Sequence, residues 1–225
     1  MEELLAEIEG DLAWREAELR LLQNHVEVAQ GSDGDMLRRS VVVMLYAHFE
    51  GFCKFAFLAY VRAVNDSGIE CREANFALVA ATISDLFAAM RTSHKKAPEF
   101  RNRLPDDTQL HQFAREREFL ERSDEIFGRR VRIADSVVNL EANVKPVVLR
   151  KVLYQLGFAH DLFAEHEATI EKLLEYRNKI AHGSFRSGID GPRFLELRDS
   201  VFAVIQGIKT EIIQAIIQER YRRTA

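Results

Sequence analysis

The stretch Val41–Val61, which reads VVVMLYAHFEGFCKFAFLAYV, decides the fold of this 225-residue chain. It is apolar around most of a helix, and such a helix must be covered on most of its surface by other elements. His48, Glu50 and Lys54 interrupt it, whereas a membrane span needs roughly 20 predominantly apolar residues in succession. We therefore interpret the stretch as the core helix of a helical bundle and expect no membrane association.

The rest of the chain is also patterned for helices. Its 225 residues include only 4 prolines and 11 glycines, and 47% of them are hydrophobic. Apolar residues recur at spacings of three and four, the period of an amphipathic helix. The sequence thus predicts an all-α, up-and-down helical bundle in a single domain over residues 1–225. The predicted helices cover about 2–29, 36–66, 72–91 (as one or two helices), 108–127, 146–156, 161–182 and 192–223.

Three segments stand out from this pattern. Gly31–Gly34 is predicted to separate the first two helices. Residues 91–107 are basic and contain Pro98 and Pro105, so they are predicted to form a basic loop or helix insertion between the halves of the bundle. Val131–Leu140 is compatible with a short strand pair, a loop or a bent helix.

Charge and cysteine content limit the functional classes. The net charge of −4 gives no overall attraction to nucleic acid, so binding to it would need a local basic patch. Cys53 and Cys71 have no neighbouring cysteine or histidine at metal-ligand spacing. We expect reduced cysteines, a cytoplasmic location, no metal and no cofactor.

The segment Glu175–Gly183, which reads EYRNKIAHG, concentrates polar chemistry at the end of a predicted helix. Asn178 and His182 are four residues apart and share a face. Arg177 and His182 are five apart, roughly 140° around the helix axis. They can therefore converge only on something that lies across the helix end, such as a phosphate or the same helix of a second subunit.

These residue types suit the cleavage of RNA. Arg177 could bind a phosphate and offset charge in the transition state, and His182 could act as base or acid. Asn178 could orient the imidazole or donate to the phosphate. RNA supplies the 2′-hydroxyl as nucleophile, so a metal is not required. The residue types alone favour the alternative interpretation, in which the histidine interacts with the helix dipole and the arginine is solvated or salt-bridged.

Arg177-Asn178-x-x-x-His182, followed by Gly183, resembles the R-x4-6-H motif of the HEPN superfamily. Two upstream stretches resemble signatures of its MAE-type branch, one in an early helix and one before the motif helix: Leu45–Lys54, and Val138–Glu141 with Val148-Leu149 and Leu156-Gly157. The resemblance covers the chain from about residue 40 to 185. At position 184, where some HEPN toxins carry a modified tyrosine, this chain has Ser184.

This resemblance implies a homodimer in which two motif helices face each other. It implies a metal-independent endoribonuclease, a toxin or antiviral-defence effector, with Arg177 and His182 as the catalytic pair and Asn178 as their polar support. RNA would be the substrate, and an antitoxin or defence protein a possible partner. The alternatives are a non-catalytic module that binds a nucleotide, RNA or protein, and a regulatory partner in such a system.

Other polar residues are candidates for supporting or RNA-binding roles. Glu50 could pair with Arg177, with His48 and Lys54 nearby, although an ordinary Glu50–Lys54 pair worth about 0.3–0.5 kcal/mol is the alternative. His160 and His166 fall on different faces and do not suggest a metal site. The candidate RNA-binding cations, which are solvated surface charges in the alternative interpretation, are Lys95, Lys96, Arg101, Arg103 and Lys179.

Overall fold

A computed structural model describes residues 2–29, 31–92 and 108–223 of the chain. Helices dominate these ranges, where extended pairing is limited to two isolated bridges, Glu70–Arg130 and Ala74–Arg222. The prediction of an all-α fold is confirmed. The α-helices are α1 (Glu2–Val28), α2 (Gly31–Ser67), α3 (Phe76–Thr82), α4 (Ser84–Arg91), α5 (Thr108–Glu121), α6 (Ser123–Phe127), α7 (Pro146–Gln155), α8 (Glu167–Ala181) and α9 (Gly191–Ile217).

Helix α2 forms the centre of the bundle and packs against α1, α8 and α9. Its apolar side chains point in several directions around the helix, which is why three other helices can cover it. The Val41–Val61 stretch is therefore a core helix, as predicted. Its fully buried side chains include Val42, Leu45, Tyr46, Phe49, Phe52, Phe57 and Tyr60.

Side-chain contacts give the direction of the helices around α2. Glu7 pairs with Arg62 at 2.6 Å, and Glu18 lies 3.0 Å from His48, so α1 runs antiparallel to α2. Glu16 of α1 accepts a hydrogen bond from Gln206 of α9. Glu9 of α1 lies 3.8 Å from Lys209 of α9, so α9 runs antiparallel to α1, as in an up-and-down bundle.

The loop that joins α8 to α9 returns to the start of α2. Arg39 of α2 donates to the carbonyl oxygen of Arg186, while Glu50 contacts Arg177, so α8 runs antiparallel to α2. The amide of Ile189 donates to the carbonyl oxygen of Asp35 at 3.0 Å. The C-terminal end of α8 therefore lies beside the N-terminal half of α2.

Helices α2 and α8 begin at positions that differ from prediction. Residues 31–34 were expected to break the chain, but they form the first turn of α2. Gly31 adopts a φ of +57°, which allows an abrupt reversal directly after α1. Helix α8 begins at Glu167 rather than at 161, because a 3-10 turn, Ala164–His166, precedes it.

Two further helix boundaries also differ. The predicted helix 108–127 is divided at Arg122 into α5 and α6. Helix α9 ends at Ile217 rather than at 223, and Glu219 takes a φ of +49° just beyond it. Arg220, Arg222 and Arg223 therefore follow the helix instead of forming its last turn.

The segment 131–140 is a loop with a 3-10 turn, Asp135–Val137. The amide side chain of Asn65 fixes its start, because it accepts from the N–H of Ile133 at 2.8 Å and donates to that residue's carbonyl at 3.0 Å. The amide of Val131 donates to the carbonyl of Ile69. A strand pair is absent from this segment of the described chain.

Helix α7 begins and ends as predicted, with Pro146 in its first turn and Gly157, at a φ of +81°, just after it. By length and composition alone, α2 and α9 could each span a membrane, as many core helices of bundles could. In the bundle, 56% of the apolar window of α2 is buried.

Candidate functional site

The C-terminal end of α8 carries the Arg-Asn-x-x-x-His segment. Helix α8 includes Arg177 and Asn178, and His182 caps it by donating its backbone N–H to the carbonyl of Asn178 at 3.0 Å. Gly183 then takes a φ of +72°, a conformation that glycine adopts without strain. The amide of Ser184 donates to the carbonyl oxygen of Lys179, and this hydrogen bond terminates the helix.

Three neighbours hold the guanidinium of Arg177. Nη1 donates to Oδ1 of Asn178 at 2.8 Å, and Nη2 lies 3.6 Å from Oε2 of Glu50. The guanidinium also stands over the ring of Tyr46, 4.5 Å from its centroid. The side chain of Arg177 keeps 26% of its surface exposed, so a ligand can still reach a guanidinium that is already positioned.

Tyr46 links this arginine to the core. Its side chain is buried, and its hydroxyl accepts the backbone N–H of Val144 at 2.9 Å. Burial raises the pKa of Tyr46 to about 12, so the phenol is neutral at physiological pH. Tyr46 was not among the predicted site residues, although its four-residue spacing from Glu50 placed both on one face of α2.

The predicted contact between Glu50 and Arg177 is present. Both side chains are about three-quarters buried, with 28% and 26% of their surfaces exposed. The ion pair of Glu50 runs between helices to Arg177, and Lys54, one turn further along α2, is exposed. A supporting role of Glu50 and Lys54 in catalysis stays a prediction.

Asn178 and His182 differ in their surroundings. The amide oxygen of Asn178 is used by Arg177, so this side chain orients the arginine. His182 is exposed at the end of the helix. Arg177 thus faces α2 while His182 faces solvent, as the five-residue spacing implies.

His48 is separated from this group. It lies two residues from both Tyr46 and Glu50, which turns it about 200° around α2. Its ring is buried against α1, with an edge contact to Trp14 at 5.3 Å. Burial lowers the pKa of His48, although Glu18 at 3.0 Å opposes this shift. Its contacts are those of α1–α2 packing, which fits a structural role, and a supporting role of His48 in the site stays a prediction.

The predicted RNA-binding cations divide into two groups. Lys179 lies on the exposed side of α8 and pairs with Glu175, whose carboxylate also accepts from Lys172. The hydrogen bonds from Lys172 and Lys179 lower the pKa of Glu175 to about 2. The other four predicted cations lie outside the described residues, as does most of the proposed basic insertion: Lys95, Lys96, Arg101 and Arg103.

Histidines at the other end of α8 do not join the motif. His160 is exposed, and the Nε2 atom of His166 lies 3.5 Å from Glu165. Over residues 2–29, 31–92 and 108–223, there is no group of three histidine, cysteine or acidic side chains that could hold a metal ion.

A cavity of about 270 Å³ lies near the C-terminal half of α2 and is lined by Tyr60, Phe158 and Arg220, among others. Tyr60 is fourteen residues from Tyr46, or about 21 Å along the helix. The cavity is therefore separate from the arginine–histidine segment.

Comparison with known families identifies the family of the chain. Residues 4–221 match the family model described as HEPN_MAE_28990/-like HEPN. The chain belongs to this HEPN family. The match covers nearly the whole chain and includes all four helices of the central bundle. No curated protein and no solved structure matches this HEPN chain.

Proposed function

We propose that this HEPN protein is a metal-independent endoribonuclease whose site is completed at a homodimer interface. The observation that carries the proposal is the pairing of a positioned Arg177 with an exposed His182 at one helix end. An arginine held by Tyr46, Glu50 and Asn178 is ready to bind a phosphate without further ordering.

The reaction needs no nucleophile from the protein. A 2′-hydroxyl of RNA loses its proton to a base and attacks the adjacent phosphorus, and the 5′-oxygen leaves with a proton from an acid. The products are a 2′,3′-cyclic phosphate and a 5′-hydroxyl. His182 supplies the proton transfers, because an imidazole can both accept and donate a proton. Arg177 offsets the negative charge that builds on the phosphate oxygens.

A second copy of the chain would bring together catalytic groups that point in different directions within one chain. Within one chain, Arg177 faces α2 and His182 faces solvent. A two-fold axis near the end of α8 would bring the two exposed histidines together across one phosphate, so that one acts as base and the other as acid. A ribonuclease of this family would fit the cellular role of a toxin or defence effector.

Cleavage assays test the site directly. Wild type, His182→Ala and the control His160→Ala are purified and incubated with total RNA in the presence of EDTA, and the product ends are mapped. We expect wild type and His160→Ala to generate cyclic-phosphate ends, and His182→Ala to lose activity. Equal cleavage by His182→Ala would refute the assignment. RNA binding without cleavage by wild type would instead favour the non-catalytic binding module.

A mixed dimer tests whether both copies form the site. Two affinity tags allow purification of a dimer with one wild-type and one His182→Ala chain. A composite site predicts activity well below half that of the wild-type dimer, because the single site of the dimer needs both histidines. Retention of half the activity would show that each chain acts alone.

A further inference from the structure

Two arginines that had no predicted role lie beside the motif. Nη1 of Arg39, on α2, donates to the carbonyl oxygen of Arg186 at 2.9 Å. Nε of Arg186 in turn donates to the carbonyl oxygen of Gly183 at 3.5 Å. Since Gly183 directly follows His182, both guanidinium groups belong to the same end of α8 as the proposed catalytic histidine.

The loop that carries Arg186 is fixed against α2. Nε of Arg38 donates to the carbonyl of Ile189 at 2.8 Å, and the amide of Ile189 donates to the carbonyl of Asp35 at 3.0 Å. Gly188 touches α2 so closely that a Cβ atom on it would lie 2.3 Å from Cβ of Asp35. The backbone on both sides of the arginine pair is therefore held in place before any ligand arrives.

The nearby carboxylates are occupied by other partners. Asp35 pairs with Arg38, and Asp190 accepts the backbone N–H of Arg193 as the N-cap of α9. In the described ranges, neither Arg39 nor Arg186 has a carboxylate oxygen within 4.0 Å. The charges of these two arginines are thus uncompensated.

The guanidinium of Arg39 is accessible at one end only. Its Nε atom is buried and lacks a hydrogen-bond partner among the described residues. A ligand can therefore reach Arg39 only through its Nη atoms, whose hydrogen bond to Arg186 is exposed. The guanidinium fork matches the geometry of a phosphate oxygen pair.

We propose that Arg39 and Arg186 bind a backbone phosphate of the RNA strand, adjacent to the phosphate that is cleaved. The inference rests on the proposed ribonuclease function and names the part of the surface that holds its substrate. Arg39 is seven residues from Tyr46, a rise of about 10 Å along α2. The guanidinium of Arg177 lies over the ring of Tyr46. The pair is therefore displaced from Arg177 and contacts a different phosphate.

Binding measurements test this subsite without cleavage. Every variant carries His182→Ala, and the probe is a fluorescein-labelled, single-stranded 12-nucleotide RNA whose anisotropy is measured between 50 and 300 mM NaCl. Arg39→Gln and Arg186→Gln are compared with the parent. The control is Arg62→Gln, an arginine about 35 Å away along α2 that pairs with Glu7. Circular dichroism melting confirms that each variant is folded.

The expected effect follows from counterion release. One lost phosphate contact on a single strand lowers the salt slope by about 0.7, which is about five-fold in affinity at 0.1 M salt. We expect this loss for each variant and none for Arg62→Gln. Unchanged affinity and slope in both variants, or no RNA binding by the parent, would overturn the inference.

The outcomes separate this inference from the proposed function. If wild type fails to cleave RNA but Arg39→Gln and Arg186→Gln weaken binding, the subsite stands and the ribonuclease assignment fails. If wild type cleaves RNA while the two variants bind like the parent, the ribonuclease assignment stands and the subsite fails.

Discussion

The ion pair between Glu50 and Arg177 allows a quantitative test that does not depend on activity. Glu50→Gln removes the carboxylate charge while it retains the shape of the side chain. Arg177→Met removes the guanidinium and retains much of the aliphatic stem. A double-mutant cycle with these changes isolates the interaction between the two residues, because other lost contacts, such as that of Arg177 with Tyr46, cancel.

The structure sets the expected coupling energy. Two unit charges 3.6 Å apart attract by about 4.6 kcal/mol at an effective dielectric constant of 20, before desolvation is considered. Desolvation and side-chain ordering offset most of this attraction, and exposed pairs retain about 0.2–1 kcal/mol. Since both side chains are about three-quarters buried, we expect a coupling of about 1–1.5 kcal/mol.

Urea unfolding at 50 and 500 mM NaCl measures this coupling. The control cycle uses Glu7 and Arg62, which lie closer together at 2.6 Å but are nearly half exposed. We expect that control pair to couple by less than about 0.5 kcal/mol and to weaken more with salt. A coupling for Glu50 and Arg177 that is no larger than that of the control would refute the conclusion that Glu50 holds the arginine.

Three further changes have clear expected outcomes. Tyr46→Phe leaves the buried N–H of Val144 without its acceptor, so urea unfolding should show a loss of about 1–3 kcal/mol; an unchanged midpoint would contradict this. Gly188→Ala forces a Cβ atom against Asp35, so we expect the free energy of unfolding to fall by about 1–3 kcal/mol. An unchanged melting temperature would show that the loop can move away from α2 at no cost. Because the folded-state pKa of His48 lies below its unfolded value, its contribution to stability is complete above about pH 6.5 and is lost as pH falls through the folded pKa. Stability should therefore fall more in wild type than in His48→Gln between pH 7.5 and 5, and equal losses would contradict the assignment.

The core of the fold could be predicted because its signal is local and repeated. The apolar surface of Val41–Val61 requires cover on several sides, and the other long helices carry the matching faces. The helix ends were harder to predict. Just after α9, Glu219 adopts a left-handed backbone conformation, which would have been predictable only if the residue were glycine. Helix α2 begins at Gly31, where the two glycines Gly31 and Gly34 suggested a longer break. Tertiary contacts decide such ends, and they are not visible in a window of sequence.

The contacts of the candidate site could be predicted only in part. Periodicity correctly separated Arg177 from His182 around α8. His48 is close to Glu50 along the chain, but its angle around α2 turns it toward Trp14 and Glu18. Tyr46 and Glu50 are four residues apart and share a face of α2, so the contact between Tyr46 and Arg177 could have been predicted. The contact of Arg39 with Arg186 spans 147 positions in sequence and depends on a loop whose path no periodicity fixes.

The two proposed catalytic residues differ in what positions them. Arg177 is fixed within one chain by Tyr46, Glu50 and Asn178, so its place does not depend on a partner. The imidazole of His182 is exposed, and the described part of the chain offers it no hydrogen-bond partner. In the proposed dimer, the second copy would therefore order the histidine rather than the arginine. Such a site would keep its phosphate-binding group ready in each chain and would make proton transfer depend on assembly.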